Sequence, residues 1–185
     1  MSDALIALHF QNDTCHPDGA IPFSLERGGS AAAAFLAASA EALAGARANG
    51  WAIAHVHIGF APDYSDLPRN ARLFLAAEQL GAMQRDSWGA HPFAGFEPRA
   101  GEIVVTHSCN SAFRRTALEA ELRSRGIGRL HVMGLATQFS VEHTVRDAAD
   151  MGFRVHVLSR CCASGNPEAH RASLAVMSML ADVDP

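Results

Sequence analysis

The stretch LHVMGLATQFSVEHTVRDAADMGFRVHVL, Leu130–Leu158, decides the fold. It opens on a short apolar run, Leu130–Met133, of the length and composition of a buried strand. A helical pattern follows over Phe139–Met151 and is closed by Gly152, a residue suited to the left-handed position just past a helix. A second strand-like run, Arg154–Leu158, comes directly after. Strand, helix, strand at this spacing is a right-handed crossover between parallel strands.

The same grammar extends outward. Ala4–Leu8, Ala52–Ile58 and Ile103–Thr106 are three more short apolar or β-branched runs. Helical patterns separate them: Leu25–Asn49, Ala-rich and ended by Gly50; a segment capped by Ser111 and running to Arg125 before Gly126; and Pro167 to about Ala181, with Asn166 as N-cap. The prediction is an α/β fold: a three-layer αβα sandwich around a parallel sheet of at least five strands, order 3-2-1-4-5, in one domain over residues 1–185. Gly59–Pro68, with two prolines and two aspartates, reads as a loop or lid.

Composition bounds the function. The 185 residues are 49% hydrophobic and 18% charged, with a formal net charge of −4. Nothing in that balance suggests disorder, and no basic stripe points to nucleic acid. The start lacks a positively charged leader, and the longest apolar stretch, Ser30–Ala48, is mostly alanine and interrupted by Glu41 and Arg47. A cytoplasmic protein without a membrane span is expected. Cys15, Cys109, Cys161 and Cys162 form no CxxC pair, so reduced thiols are expected. An exposed sheet edge and the Ala-rich helix favour a homo-oligomer.

In open α/β sheets ligands bind beyond the carboxyl ends of the strands. Here those ends read Leu8-His9-Phe10-Gln11-Asn12-Asp13, His55-Val56-His57, Thr106-His107-Ser108-Cys109, and Met133-Gly134-Leu135-Ala136-Thr137-Gln138-Phe139-Ser140. The topology therefore directs His9, His107 and Ser140 towards one crevice.

These segments resemble, in order and in register, the isochorismatase-like cysteine hydrolase superfamily. ALIALHFQND, Ala4–Asp13, is similar to an opening strand that ends in Asp-x-Gln-Asn-Asp. GEIVVTHSCNSAF, Gly101–Phe113, is similar to a third-strand motif with Lys four residues before Ser-Ala-Phe. GLATQFSVEHTVRDA, Gly134–Ala148, is similar to the nucleophile motif Gly-Val-Ala-Thr-x-x-Cys-Val-x-x-Thr-x-x-Asp-Ala. Cys162-Ala-Ser164 and His170 resemble the segment after strand five. The resemblance implies a sixth strand, expected here to be absent or a stub at Asp182–Pro185, and hydrolysis of a small amide or related bond by a Cys–Asp–Lys set. It also implies an oxyanion hole at the backbone of Ala136 and Ser140, and a non-proline cis bond at Leu135–Ala136. Measured against it, this chain carries His9 for Asp, His107 for Lys and Ser140 for Cys, while Gln11, Asn12, Asp13, Ser111, Ala112, Phe113, Thr137, Val141 and Thr144 match.

A serine hydroxyl does not ionise usefully and needs a base. Histidine is the side chain best suited to that role near neutral pH. One reading is thus a Ser140 nucleophile with His9 or His107 as base, acting on a small-molecule amide or ester. A second is a catalytically silent fold that binds a small molecule or partner. A third is a metal site of His9, His57 and His107; the leading expectation is no metal and no cofactor. Phe10, Gln11, Phe60, Trp88, Phe113 and Phe139 are candidate substrate contacts, Trp88, His91 and Pro92 resemble the family segment before strand three that closes the pocket, and Cys109 is a candidate displaced nucleophile.

Overall fold

The computed structural model describes residues 2–21 and 29–184. Among these residues six parallel strands form the sheet: β1 (Ser2–Leu8), β2 (Ala52–Ile58), β3 (Ile103–His107), β4 (Ile127–Leu135), β5 (Arg154–Ala163) and β6 (Asp182–Val183). Their order is β3-β2-β1-β4-β5-β6. The predicted order stands, and the sixth strand is present as the expected stub, with His156 paired to Asp182 and Val157 to Val183.

Alternation along each strand sorts side chains to two faces. On one face Ala4, Ile6, Leu8, Val56, Leu130 and Val132 pack under Leu118 and Leu122 of α4 (Leu118–Ser124), Val145 and Ala148 of α5 (Glu142–Asp150), and Met177 of α6 (Pro167–Met177). On the other, Leu5, Ala7, Ile53 and Met133 pack under Phe35, Leu43 and Ala46 of α2 (Ser30–Ala48). Three layers result. No helix among the described residues is long and apolar enough to cross a membrane.

Four local differences from the sequence reading have physical causes. The α2 helix begins at Ser30 in the described chain, and residues 25–28 of the expected element lie outside the described residues. The α4 helix begins at Leu118, not Ser111. The Ser111 carbonyl is taken by the His107 ring, its hydroxyl accepts from Phe113 N–H, and Arg115 sits at φ 61°, so residues 111–117 run as turns. Before α5 the chain makes one π-type turn, Thr137–Val141, in which Val141 N–H reaches back to the Ala136 carbonyl. The fourth difference is two helices without a sequence expectation, α1 (Asn12–Cys15) and α3 (Arg72–Gln79). The α3 helix lays Phe74 and Ala77 on Phe60, Tyr64, Leu67 and Met83, a third apolar cluster built over the strand ends.

Gly134 fixes how β4 meets β1. Its φ is 136°, and a Cβ there would sit 2.2 Å from the Leu8 carbonyl oxygen. Only glycine permits both the angle and the approach. The chain then passes through a cis peptide bond at Leu135–Ala136, where the resemblance implied one.

Candidate active site

The β1 strand ends in a sharp turn. His9 adopts φ 60°, its N–H donates to the Val56 carbonyl at 2.9 Å, and its own carbonyl accepts from Gln11 N–H at 2.8 Å and from the Thr14 hydroxyl. This turn carries the His9 side chain to the strand ends, where it meets His107 from the end of β3. The two Nε2 atoms are 2.7 Å apart, and both residues are buried.

The tautomers follow from the partners. His107 Nδ1 lies 2.9 Å from the Ser111 carbonyl, which can only accept, so His107 carries its proton on Nδ1. In the neutral ring its Nε2 is then an acceptor, and His9 Nε2–H donates to it. The Leu135 carbonyl also faces the His9 ring. Burial lowers the pKa of His9 well below its usual value, and the neighbouring His107 and His57 lower it further against the opposing pull of the Leu135 carbonyl. Burial likewise lowers His107 to about 4, opposed by the Ser111 carbonyl.

His9 opens onto a small, largely apolar cleft. Ser140, Ala136, Phe139 and Asn110 line it together with Ile58, Phe60, Phe74 and Met83 of the third apolar cluster. His107 stands behind His9 and does not line the cleft. Ser140 and Ala136 are both nearly buried. The Ser140 hydroxyl forms no hydrogen bond with a described residue, and the Ala136 N–H likewise has no acceptor among them.

Of the aromatic candidates, Phe60 and Phe139 line the cleft. Phe10 instead stacks on Phe96 and Phe35 at 4.2 and 5.6 Å under α2. Phe113 stacks on Phe153 at 6.0 Å on the far side of the sheet. Trp88 is half-exposed and meets His16 edge-on. Gln11 is fully buried as a clamp: its amide donates to the Ile58 and Ala90 carbonyls and accepts from Ile58 N–H. Asn12 donates to the Trp88 carbonyl, and the Asp13 carboxylate accepts from Ala20 and Met83 N–H. The Gln-Asn-Asp run therefore ties the loops that wall the cleft, and Gln11 holds walls where the sequence reading had it touching substrate. Cys109 is half-buried and lies outside the cleft lining.

The metal alternative loses its geometry. Two nitrogens on one tetrahedral zinc are roughly 3.3 Å apart, given bonds of about 2.0–2.1 Å. His9 and His107 are closer than that, at the separation of a shared proton. Among the described residues no three His, Cys, Asp or Glu side chains are grouped to hold a metal.

Several lining residues carried no sequence expectation: Asn110 beyond β3, Phe74 and Ala77 from α3, and Met83. The signal for α3 was present, since Leu73, Phe74 and Ala77 fall on one helical face.

The isochorismatase domain family matches residues 3–183. This chain belongs to the isochorismatase family. It is 28% identical to the uncharacterised isochorismatase family protein YecD of Escherichia coli O157:H7 over 69% of this chain and 66% of that protein. It is 32% identical to the ureidoacrylate amidohydrolase RutB of Acinetobacter baylyi over 68% of this chain and 53% of that enzyme. The chain thus spans between half and two thirds of these two relatives. Among solved structures, the nicotinamidase/pyrazinamidase PncA of Bacillus subtilis superposes with a TM-score of 0.85 at 26% identity, covering 100% of both chains.

Proposed function

We propose that this isochorismatase-family protein is a hydrolase of a small-molecule amide or ester, with Ser140 as nucleophile, His9 as base and His107 as the residue that orients the base. The observation that carries this reading is the polarity of the histidine pair. His107, fixed by the Ser111 carbonyl, is placed to accept the Nε2–H of His9, and His9 lines the same cleft as Ser140. A neutral imidazole thus does for His9 what a carboxylate does in the Ser-His-Asp arrangement.

In the proposed reaction His9 Nδ1 takes the Ser140 hydroxyl proton as Oγ attacks the carbonyl carbon. The oxyanion is held by the backbone N–H groups of Ala136 and Ser140. His9 then gives its proton to the leaving nitrogen or oxygen as that bond breaks, leaving an acyl-serine. A water molecule, deprotonated by the same nitrogen, releases the acid and restores the hydroxyl. Relatives named for ureidoacrylate amidohydrolase and nicotinamidase activity support a carbon–nitrogen bond as the target.

A second reading, a silent pocket that binds without turnover, is favoured by the Ser140 hydroxyl having no hydrogen bond to either histidine. The test is steady-state hydrolysis of a panel of small amides and esters by the wild type and Ser140→Ala. Turnover that disappears in Ser140→Ala is expected. Turnover that survives the substitution sinks the serine mechanism, and binding of panel members without any turnover selects the silent pocket.

A further inference from the structure

We propose that His131 and His156 form a binding site for a divalent transition metal ion of the zinc type, on the sheet face that α2 covers. The site shares no residue with the cleft that Ser140 lines.

His131 and His156 are register partners across β4 and β5. Side chains opposite each other in adjacent strands point to the same face. That face carries Met133 and Leu158 of the cluster under α2. Trp51 of the same cluster stacks on the His131 ring, with centroids 4.1 Å apart and 23° between the planes.

A carboxylate holds each ring at its outer nitrogen. His131 Nε2 lies 3.4 Å from Asp3 Oδ2, and His156 Nε2 lies 2.6 Å from Asp184 Oδ1. A carboxylate only accepts, so both rings carry their proton on Nε2. Both Nδ1 atoms are then acceptors, and they face each other 3.3 Å apart. Among the described residues neither Nδ1 has another hydrogen-bond partner. Two lone pairs so placed repel each other unless a cation joins them.

The separation suits a metal. Nitrogens on one tetrahedral zinc are roughly 3.3 Å apart. His131 and His156 meet that distance, where His9 and His107 fall short of it. A metal-ligating imidazole ordinarily donates its other N–H to a carboxylate, which fixes the ring and raises its basicity. Asp3 and Asp184 occupy those places. Imidazole selects zinc, copper or nickel over magnesium and calcium. Charge agrees, since the two carboxylates outnumber Arg129, which pairs with Asp3 at 3.0 Å. The His156 side chain is 30% exposed, so an ion can enter from solvent and keep water on its remaining positions. Once bound, it joins Asp3 of β1, His131 of β4, His156 of β5 and Asp184 beyond β6 in one line across four adjacent strands.

The test uses Co²⁺, which accepts tetrahedral sites as zinc does and quenches tryptophan, at about pH 8, where imidazole is neutral. The chain has two tryptophans, so the Trp88→Phe protein reports Trp51 alone. Its emission should be quenched in a single saturable step. Excess Zn²⁺, a closed-shell ion that does not quench, should restore it. Asp184→Ala leaves both ligand nitrogens in place and should weaken Co²⁺ by about tenfold, as loss of an orienting carboxylate does. His156→Gln removes a ligand and should weaken it further. In the wild-type protein Zn²⁺ should raise the melting temperature, and His156→Gln should lose that rise. Quenching that does not saturate, that Zn²⁺ leaves in place, or that keeps its midpoint in either variant overturns the proposal. Emission that follows pH through the imidazole range but ignores Co²⁺ overturns it too, in favour of a shared proton. If His156→Gln does not fold, Asp184→Ala, altered at a side chain 37% exposed, decides the comparison alone.

Discussion

The Nε2 atom of His9 lies 2.7 Å from the Nε2 atom of His107, and the far nitrogen of His107 is spent on the Ser111 carbonyl. The chain of donors therefore runs from His9 to His107 to backbone. Removing the middle member frees the His9 ring to adopt the other tautomer. His107→Ala should lower kcat on the order of 100-fold or more, as loss of the orienting group does in related dyads. Glutamine at the same position can accept from His9 through its carbonyl and donate to Ser111 through its amide. His107→Gln should therefore keep much of the activity that His107→Ala loses. Equal loss in both, with KM unchanged, would remove His107 from the orienting role.

The same burial gives the fold a pH dependence. The folded pKa of His107 is lowered from 6.5 to about 4, and that of His9 is also lowered, so both rings stay neutral in the folded state while the unfolded chain protonates. Their cost is absent well above pH 6.5. It grows as the pH falls from 6.5, and for His107 it levels off near pH 4, at about 3 kcal/mol. Urea titrations at pH 7 and pH 5 should show the wild type losing stability that His107→Gln does not lose. Hydrolysis should hold through pH 6.5 and fall only well below it, where His9 protonates and accepts nothing. A stability that stays flat from pH 7 to pH 4 would contradict the assignment of two buried neutral rings.

Gln11 offers a separate handle on the walls of the cleft. Its amide satisfies the N–H and C=O of Ile58 and the C=O of Ala90 at 2.8–2.9 Å, all from a fully buried position. Gln11→Leu keeps the volume and strands these three backbone groups. A loss of about 3–5 kcal/mol is expected, since each buried unsatisfied group costs about 1–3 kcal/mol and water can reach the Ala90 side. Chemical denaturation measures it. Substrate affinity should weaken more than kcat, because Ile58 lines the cleft and does not touch the proton path.

How much of this was legible in the sequence varies with the kind of signal. The strands were readable because β1 and β4 carry apolar runs buried on both faces, and the alternation of strand and helix pointed to a parallel sheet. That His9, His107 and Ser140 lie at or just beyond strand ends followed from the positions of the strands. Their mutual geometry did not, because it depends on the φ of 60° at His9 and on Ser111 turning its carbonyl to the His107 ring instead of starting a helix. Residue type also misled: Phe10 and Phe113 follow strands as Phe60 does, yet each turns under a helix, because the side of the sheet is decided by the turn and not by the aromatic itself. Asn110 left no trace in any pattern, since a single amide in a turn is ordinary in sequence and distinctive only beside a cleft.

Replacing the hydroxyl of Ser140 by a thiol would report directly on the base. The native thiols form a quiet background: burial pushes Cys15 and Cys162 up to about 12 and raises Cys161, while Cys109 is half-buried outside the cleft lining. A thiol at position 140 would sit at a helical turn on the cleft that the neutral His9 imidazole also lines, and a ring that takes its proton favours the reactive thiolate. In Ser140→Cys the introduced thiol should therefore be alkylated by iodoacetamide faster than any native cysteine, as read by peptide mass spectrometry over time. His9→Phe in that background should slow the reaction by about tenfold or more, because the thiol then ionises near its ordinary pKa. The rate in Ser140→Cys should fall as the pH drops and the imidazole is occupied. A thiol at position 140 that reacts no faster than Cys109, and is indifferent to His9, would mean that the His9 lone pair does not serve Ser140, leaving the histidine pair as a buried brace between β1 and β3.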